Sequence, residues 1–222
     1  MDFIFDPSLV LYLPLYKLDG ASFMSRDAYG HLCTVTGAVW RPDGRTFDGD
    51  DKIAIDAAST LQSLTTGSIE VWGKIASLEA SKGFFSAGDV DDATSYIGLY
   101  FSTAAGGVMY AICYNDGIEL YNDLFPNAIP TAGRWHHYVL VQDGVEPVLY
   151  MDMVKYAIGG VRPDDTGWFA DVLNIDTVLV GQMVNQAWGN LTGNVGEVRI
   201  YNRALTPLEI QHNYLATKWR YR

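Results

Sequence analysis

The sequence is short of cysteine, of charge and of helical periodicity, and each shortage sets a limit. Two cysteines in 222 residues, Cys33 and Cys113, cannot form a disulfide scaffold. They sit in separate strand-like runs, HLCTVTG and VMYAICY, and read as two buried thiols, with a single bridge as the alternative. Charged residues are only 18%, with 15 basic against 26 acidic, for a net charge of −11. A nucleic-acid partner is not expected on that balance, because phosphate binding needs a basic face. The one basic run, KWRYR at the end of the chain, reads as a local tail feature. No apolar stretch approaches the roughly 20 residues of a membrane span. The opening MDFIFDPSLVLYLPLYKLDG carries Asp2 and Asp6 where a secretory signal is basic, and Pro7 and Pro14 interrupt its apolar run, so no signal peptide is expected.

What is present points to strands. The hydrophobic fraction is 49%, enough for a substantial core, and 22 glycines and 14 tyrosines suit many turns and many strands. GSIEVWGKI alternates, with Ile69, Val71 and Gly73 facing one way and Glu70, Trp72 and Lys74 the other. Asn115-Asp116-Gly117 separates two β-rich runs and tolerates the positive φ of a tight hairpin, and a second hairpin is expected across Asp143-Gly144. Only two segments look helical. Ala57 to Leu64 is one turn, and Pro207 to about Lys218 is a short helix with Thr206 as N-cap, Pro207 at the first position and Glu209 completing a capping box. The expected fold is all-β, a two-sheet antiparallel sandwich with a short C-terminal helix, spanning residues 1–222 as one domain.

Catalytic patterns are missing. Glycoside hydrolysis needs two carboxylates flanking the bond, but Glu70 and Asp152 each stand alone on their strands. There is no Gly-x-Ser-x-Gly elbow, and His136 and His137 are adjacent on a strand and point to opposite faces. No enzyme is expected. For sugar binding the candidates are Trp168 and Trp188, in loop-like surroundings, and Tyr96 and Tyr121, near turns; the alternative is that these rings close the rim of the core. The loop GDVDDATS, with Asp89, Asp91 and Asp92, lacks the glycine and terminal glutamate of an EF-hand and reads as a solvated acidic loop.

Five segments, in order, resemble the laminin-G-like branch of the concanavalin-A-like lectin-glucanase jelly rolls: LVLYLPL with DAYGH downstream, RTFDGDDKIAI, GSIEVWGKI, GRWHHYVLVQDG with PVLYMDM, and GEVRIYNRALTPLEI. The resemblance implies a jelly roll whose last strand turns a corner at Asn202 to Leu205, with Leu205 as a plug and Arg203 bonding carbonyls or a carboxylate. It implies a structural Ca2+ held by Asp27, Asp48 and Glu197, although Gly196 stands where the family often has an acidic residue, and Asp27 and Asp48 can equally cap turns. It places Asp152 in a turn where glycine usually follows; here Met153 follows. The ending EIQHNYLATKWRYR resembles phage and viral structural members in particular. The implied role is a non-catalytic virion-surface subunit, a capsid decoration or fibre-associated protein made in the host cytoplasm. Its partners would be capsid or other virion proteins, contacted through the end loops and Met1 to Pro7, with host glycans and a homo-oligomer as further expectations. The alternative is a calcium-dependent carbohydrate-binding module of a cell-surface or secreted protein.

Overall fold

The computed structural model describes residues 6–103, 106–159, 165–184 and 189–222. In chain order its strands are β1 (Leu9–Pro14), β2 (Ser22–Met24), β3 (Leu32–Thr36), β4 (Val39–Arg41), β5 (Gly44–Asp48) and β6 (Lys52–Ile55), followed by the single helical turn α1 (Ala58–Leu61). There follow β7 (Gly67–Ile75), β8 (Lys82–Gly88), β9 (Tyr96–Ser102), β10 (Val108–Asn115), β11 (Ile118–Leu124), β12 (Trp135–Gln142), β13 (Pro147–Met151), β14 (Val154–Tyr156), β15 (Thr177–Val180) and β16 (Thr192–Tyr201), and last the helix α2 (Pro207–Thr217).

The strands form two eight-stranded antiparallel sheets. The first runs β14-β13-β12-β7-β16-β5-β4, with β1 also paired to β16; the second runs β11-β10-β9-β8-β15-β6-β3-β2. The core lies between them. Ile69, Val71 and Ile75 of β7 and Val195, Val198 and Ile200 of β16 meet Phe84, Phe85, Ile97, Leu99 and Phe101 of the opposing sheet. Gly73 shares that inner face, because a Cβ there would stand 2.3 Å from the Phe84 ring. The alternation read from the sequence therefore holds on β7.

The local signals also hold. Asp116 and Gly117 have φ of 48° and 76°, the paired positive values that a two-residue hairpin needs. Thr206 caps α2, accepting from the Glu209 amide at 3.3 Å, while the Glu209 carboxylate accepts from the Thr206 amide at 2.8 Å. Arg203 grips both oxygens of Glu209 at 2.7 and 3.0 Å and reaches Asp6 at 3.2 Å. Leu205 is buried with Ile210 against Val139, Val141 and Tyr150 on the outer face of the first sheet. The corner after β16 thus folds α2 back over that sheet. Cys33 and Cys113 are both buried thiols and form no disulfide with each other. Among the described residues no helix is long and apolar enough to cross a membrane.

Candidate functional site

On β3, β6 and β15, Cys33, Val35, Ile53, Ile55, Val178 and Val180 turn inward to the core. The alternate residues therefore project from the outer face of the second sheet. There Leu32, Thr34, Ala54 and Thr177, with Asp56 and Asp176 at the adjoining strand ends, line a shallow cleft of about 270 Å³. Its lining is mixed, apolar and polar. Among the described residues, the Thr34 and Thr177 hydroxyls and the Asp56 carboxylate have no partner within the fold, and Asp176 spends only Oδ1, on the Val90 amide at 2.9 Å. An apolar surface carrying a few unspent polar groups is the usual make-up of a small-ligand site.

Beyond β15 the same outer face is a packed aromatic wall. Tyr96 stacks on Tyr114 with ring centres 5.5 Å apart and planes at 12°, and Tyr100 lies 5.4 Å from Tyr110. Leu179, Met183 and Val184 pack into the same cluster. The Tyr114 hydroxyl donates to Glu119, and burial together with that carboxylate pushes the phenol up to about 12.

Two acidic clusters at the surface, each with two exposed members, could bind an ion: Asp48, Asp50 and the buried Asp51, and Asp89, Asp91 and Asp176, each with carboxylate oxygens within 4.8 Å of one another. The second joins the acidic loop seen in the sequence to a residue on the rim of the cleft. The expected set Asp27, Asp48 and Glu197 is not assembled, and only Asp48 falls in either cluster. Asp27 is a turn cap that accepts the amides of Tyr12, Tyr29 and Gly30. Glu197 is buried, paired with Arg199 and, at 3.5 Å, with Arg220. A β-bulge between Val195 and Glu197 puts Gly196 against Tyr221, so that a Cβ at 196 would lie 2.2 Å from the ring. The acidic residue that the family often carries there has no room. These residues do not fit a calcium site between the N-terminal loop and the last strand.

The outer face of the first sheet holds polar groups that the sequence left apart. Register sets Arg199 opposite Glu70 and Glu197 opposite Trp72. Glu70 accepts from His137 Nε2 at 2.8 Å, from Arg199 at 3.3 Å and from Asn213 Nδ2 at 2.9 Å. Burial works against its charge, but Arg199 and His137 outweigh it and hold Glu70 at about 2. Glu197 is raised instead, by burial first and by its neighbour Glu70, against the pull of Arg199. Trp72 lies between Tyr214 and Tyr221, with ring centres at 5.5 and 4.5 Å, and donates to Thr217 at 2.8 Å. The basic ending is thus not a free tail: Arg220 lies 3.7 Å above the Tyr16 ring and Tyr221 is buried. His136 and His137 do point apart, His136 to Asp152 and His137 to Glu70, and His137 is fully buried.

Three of the four aromatics expected to stack on sugars fall among the described residues, and none of these three is at the surface. Trp168 and Tyr121 are fully buried in the core and Tyr96 is 5% exposed. The cause at Trp168 is a loop drawn inward: Gln142 Nε2 donates to the Asp165 and Gly167 carbonyls, and Gln62 Nε2 donates to those of Phe169 and Val172. Trp188 lies outside the described residues. Sequence reasoning passed over Thr34, Asp56, Asp176 and Thr177, whose only signal was outward-facing polar residues at strand ends.

The sequence profile of the Concanavalin A-like lectin/glucanases superfamily matches residues 47–211. No curated protein sequence matches the chain. Among solved structures, Trypanosoma rangeli sialidase superimposes with a TM-score of 0.70 at 17% identity, over 97% of this chain and 34% of that one. The Ruminococcus gnavus IT-sialidase CBM40 bound to alpha2,3 sialyllactose superimposes with a TM-score of 0.63 at 18% identity, over 81% of this chain and 97% of that one. The leech intramolecular trans-sialidase gives 0.63 at 16% identity, over 92% of this chain and 27% of that one. The chain spans about a third or less of the two sialidases' lengths. At these identities the likeness is one of fold.

Proposed function

The chain belongs to the Concanavalin A-like lectin/glucanases superfamily, and we propose that it is a carbohydrate-binding module without catalytic activity that takes its ligand in the cleft on the outer face of the second sheet. The observation that carries this reading is the set of unspent polar groups, Thr34, Asp56, Asp176 and Thr177, among the apolar residues that line the cleft. Sugars present that combination in reverse, with hydroxyls around apolar C–H faces. The fold likeness to a CBM40 bound to sialyllactose supports the ligand class. The non-catalytic reading rests on both sheets. Glu70 and Glu197 are sealed beneath α2 and its C-terminal extension, and Asp56 and Asp176 are exposed, without the apolar pocket that keeps a general acid protonated.

The placement on a virion rests on the resemblance of the C-terminal sequence and draws no support from the fold or the similar structures, so the glycan reading stands first. Calcium is left out of the proposal, because the expected ligand set is not assembled.

The test is a glycan array probed with the protein and with an Ala54→Trp variant, which puts a large ring into the cleft from a half-buried, outward-facing position. Retention of a glycan by the wild type and its loss in the variant is expected. Retention of none, or equal retention by both, would remove the reading.

A further inference from the structure

Resting on that carbohydrate-binding reading, we infer that the cleft selects neutral glycans and rejects sialylated and other acidic ones. The inference comes from the charge of the site, and it runs against the ligand held by the structurally similar CBM40.

Two carboxylates line the cleft, and none of the described residues lining it is lysine, arginine or histidine. Both sit at the same end. β6 runs antiparallel to β15, with Ala54 opposite Leu179 and Ile53 opposite Val180, so Asp56 after β6 and Asp176 before β15 fall together. Asp89 and Asp91 crowd Asp176 from the neighbouring loop. Four carboxylates therefore gather at or beside one end of a cleft of about 270 Å³. The one cation that faces outward on β6, Lys52, is at the opposite end of that strand and does not line the cleft.

The chemistry of each ligand class separates on this arrangement. An ionised carboxylate only accepts hydrogen bonds, and a hydroxyl donates one. Asp56 with both oxygens unspent, and Asp176 with one, can each accept hydrogen bonds from sugar hydroxyls, while Thr34 and Thr177 can donate or accept. A sialic acid brings a carboxylate of its own, which needs donors, best a guanidinium fork, and here meets acceptors of like charge. Such juxtaposition works against the wrong partner more strongly than it improves the right one, which is how a site gains specificity.

The experiment measures affinities of the wild type, Asp56→Asn and Asp176→Asn for matched neutral and sialylated oligosaccharides, with lactose and alpha2,3 sialyllactose among the pairs. Both positions are exposed, and the asparagine at 176 keeps an oxygen for the Val90 amide, so both variants are expected to fold. The wild type should bind the neutral member at least about tenfold more tightly. Each asparagine should weaken neutral binding by about tenfold, through loss of charge-assisted hydrogen bonds, and narrow the gap to the sialylated member. A wild type that binds the sialylated members as tightly or more tightly overturns the charge selection and leaves the glycan reading intact. Binding of no glycan of either kind removes both. A gap that is unchanged in both asparagine variants overturns the assignment to Asp56 and Asp176.

Discussion

Arg199 on β16 stands directly opposite Glu70 on β7, with its guanidinium 3.3 Å from the Glu70 carboxylate beneath the C-terminal helix. It also pairs with Glu197, so one cation serves two buried carboxylates. Arg199→Met leaves both without their main partner. Breaking a buried pair by removing one member costs roughly 3–5 kcal/mol. Urea unfolding should show a loss of that size, and a loss under about 1 kcal/mol would mean that the network is not closed as described.

Acid should loosen the C-terminal closure through Glu209. Arg203 first, with the Thr206 amide, holds this carboxyl down from its ordinary 4.5 to about 2. A depressed carboxyl contributes stability that is full above 4.5 and is lost as pH falls toward 2. Glu197, raised by burial, acts in the opposite sense, so the difference between wild type and Glu209→Gln is the informative quantity. That difference should shrink steadily as pH falls from 5 toward about 2, read as thermal midpoints at each pH. A difference that is flat or grows on acidification would contradict the pairing.

The turn from β13 to β14 keeps its shape without the expected glycine. Asp152 and Met153 have φ of 51° and 71°, both in the left-handed region. Asp152 is anchored, since its carboxylate bonds His136 at 2.7 Å and the His137 amide at 2.9 Å. Met153 is partly exposed and carries only the conformational penalty. Met153→Gly should therefore stabilise by about 0.5–1 kcal/mol, a left-handed cost of about 1–2 offset in part by glycine's greater freedom when unfolded. Thermal unfolding checks it, and destabilisation by the variant would count against the turn.

Both thiols should resist alkylation while the protein is folded. Burial pushes Cys33 up to about 12, which leaves almost no thiolate at neutral pH, and Cys113 is fully buried. Iodoacetamide should label neither cysteine in buffer and both in urea, as read by mass spectrometry. Stoichiometric labelling in buffer would contradict their burial.

What could be read from the sequence was what is local. The capping box at Thr206 and Glu209, the hairpin at Asp116-Gly117 and the alternation of β7 depend on neighbours in the chain, and each is found as expected. Alternation told which side chains leave the core but not what lies over them. Glu70 and Trp72 face outward and are buried all the same, because α2 returns across them from 137 or more residues away, as with Leu205 on Ser68. Trp168, among Gly, Asp and Thr, looked exposed and is not, because distant glutamines draw its loop inward. The cleft joins positions 34, 54 and 177, and the acidic cluster joins 89 and 91 to 176. Those meetings are set by sheet order, with β15 inserted between β8 and β6, which no local pattern encodes.

The most direct measurement is the mapping of amide chemical shifts on isotope-labelled protein during titration with a glycan retained on the array. Shifts centred on Leu32, Thr34, Ala54 and Thr177, fading toward the first sheet, are the predicted result. Shifts centred on α2 or on the outer face of the first sheet, with the cleft unmoved, would contradict carbohydrate binding at the second sheet.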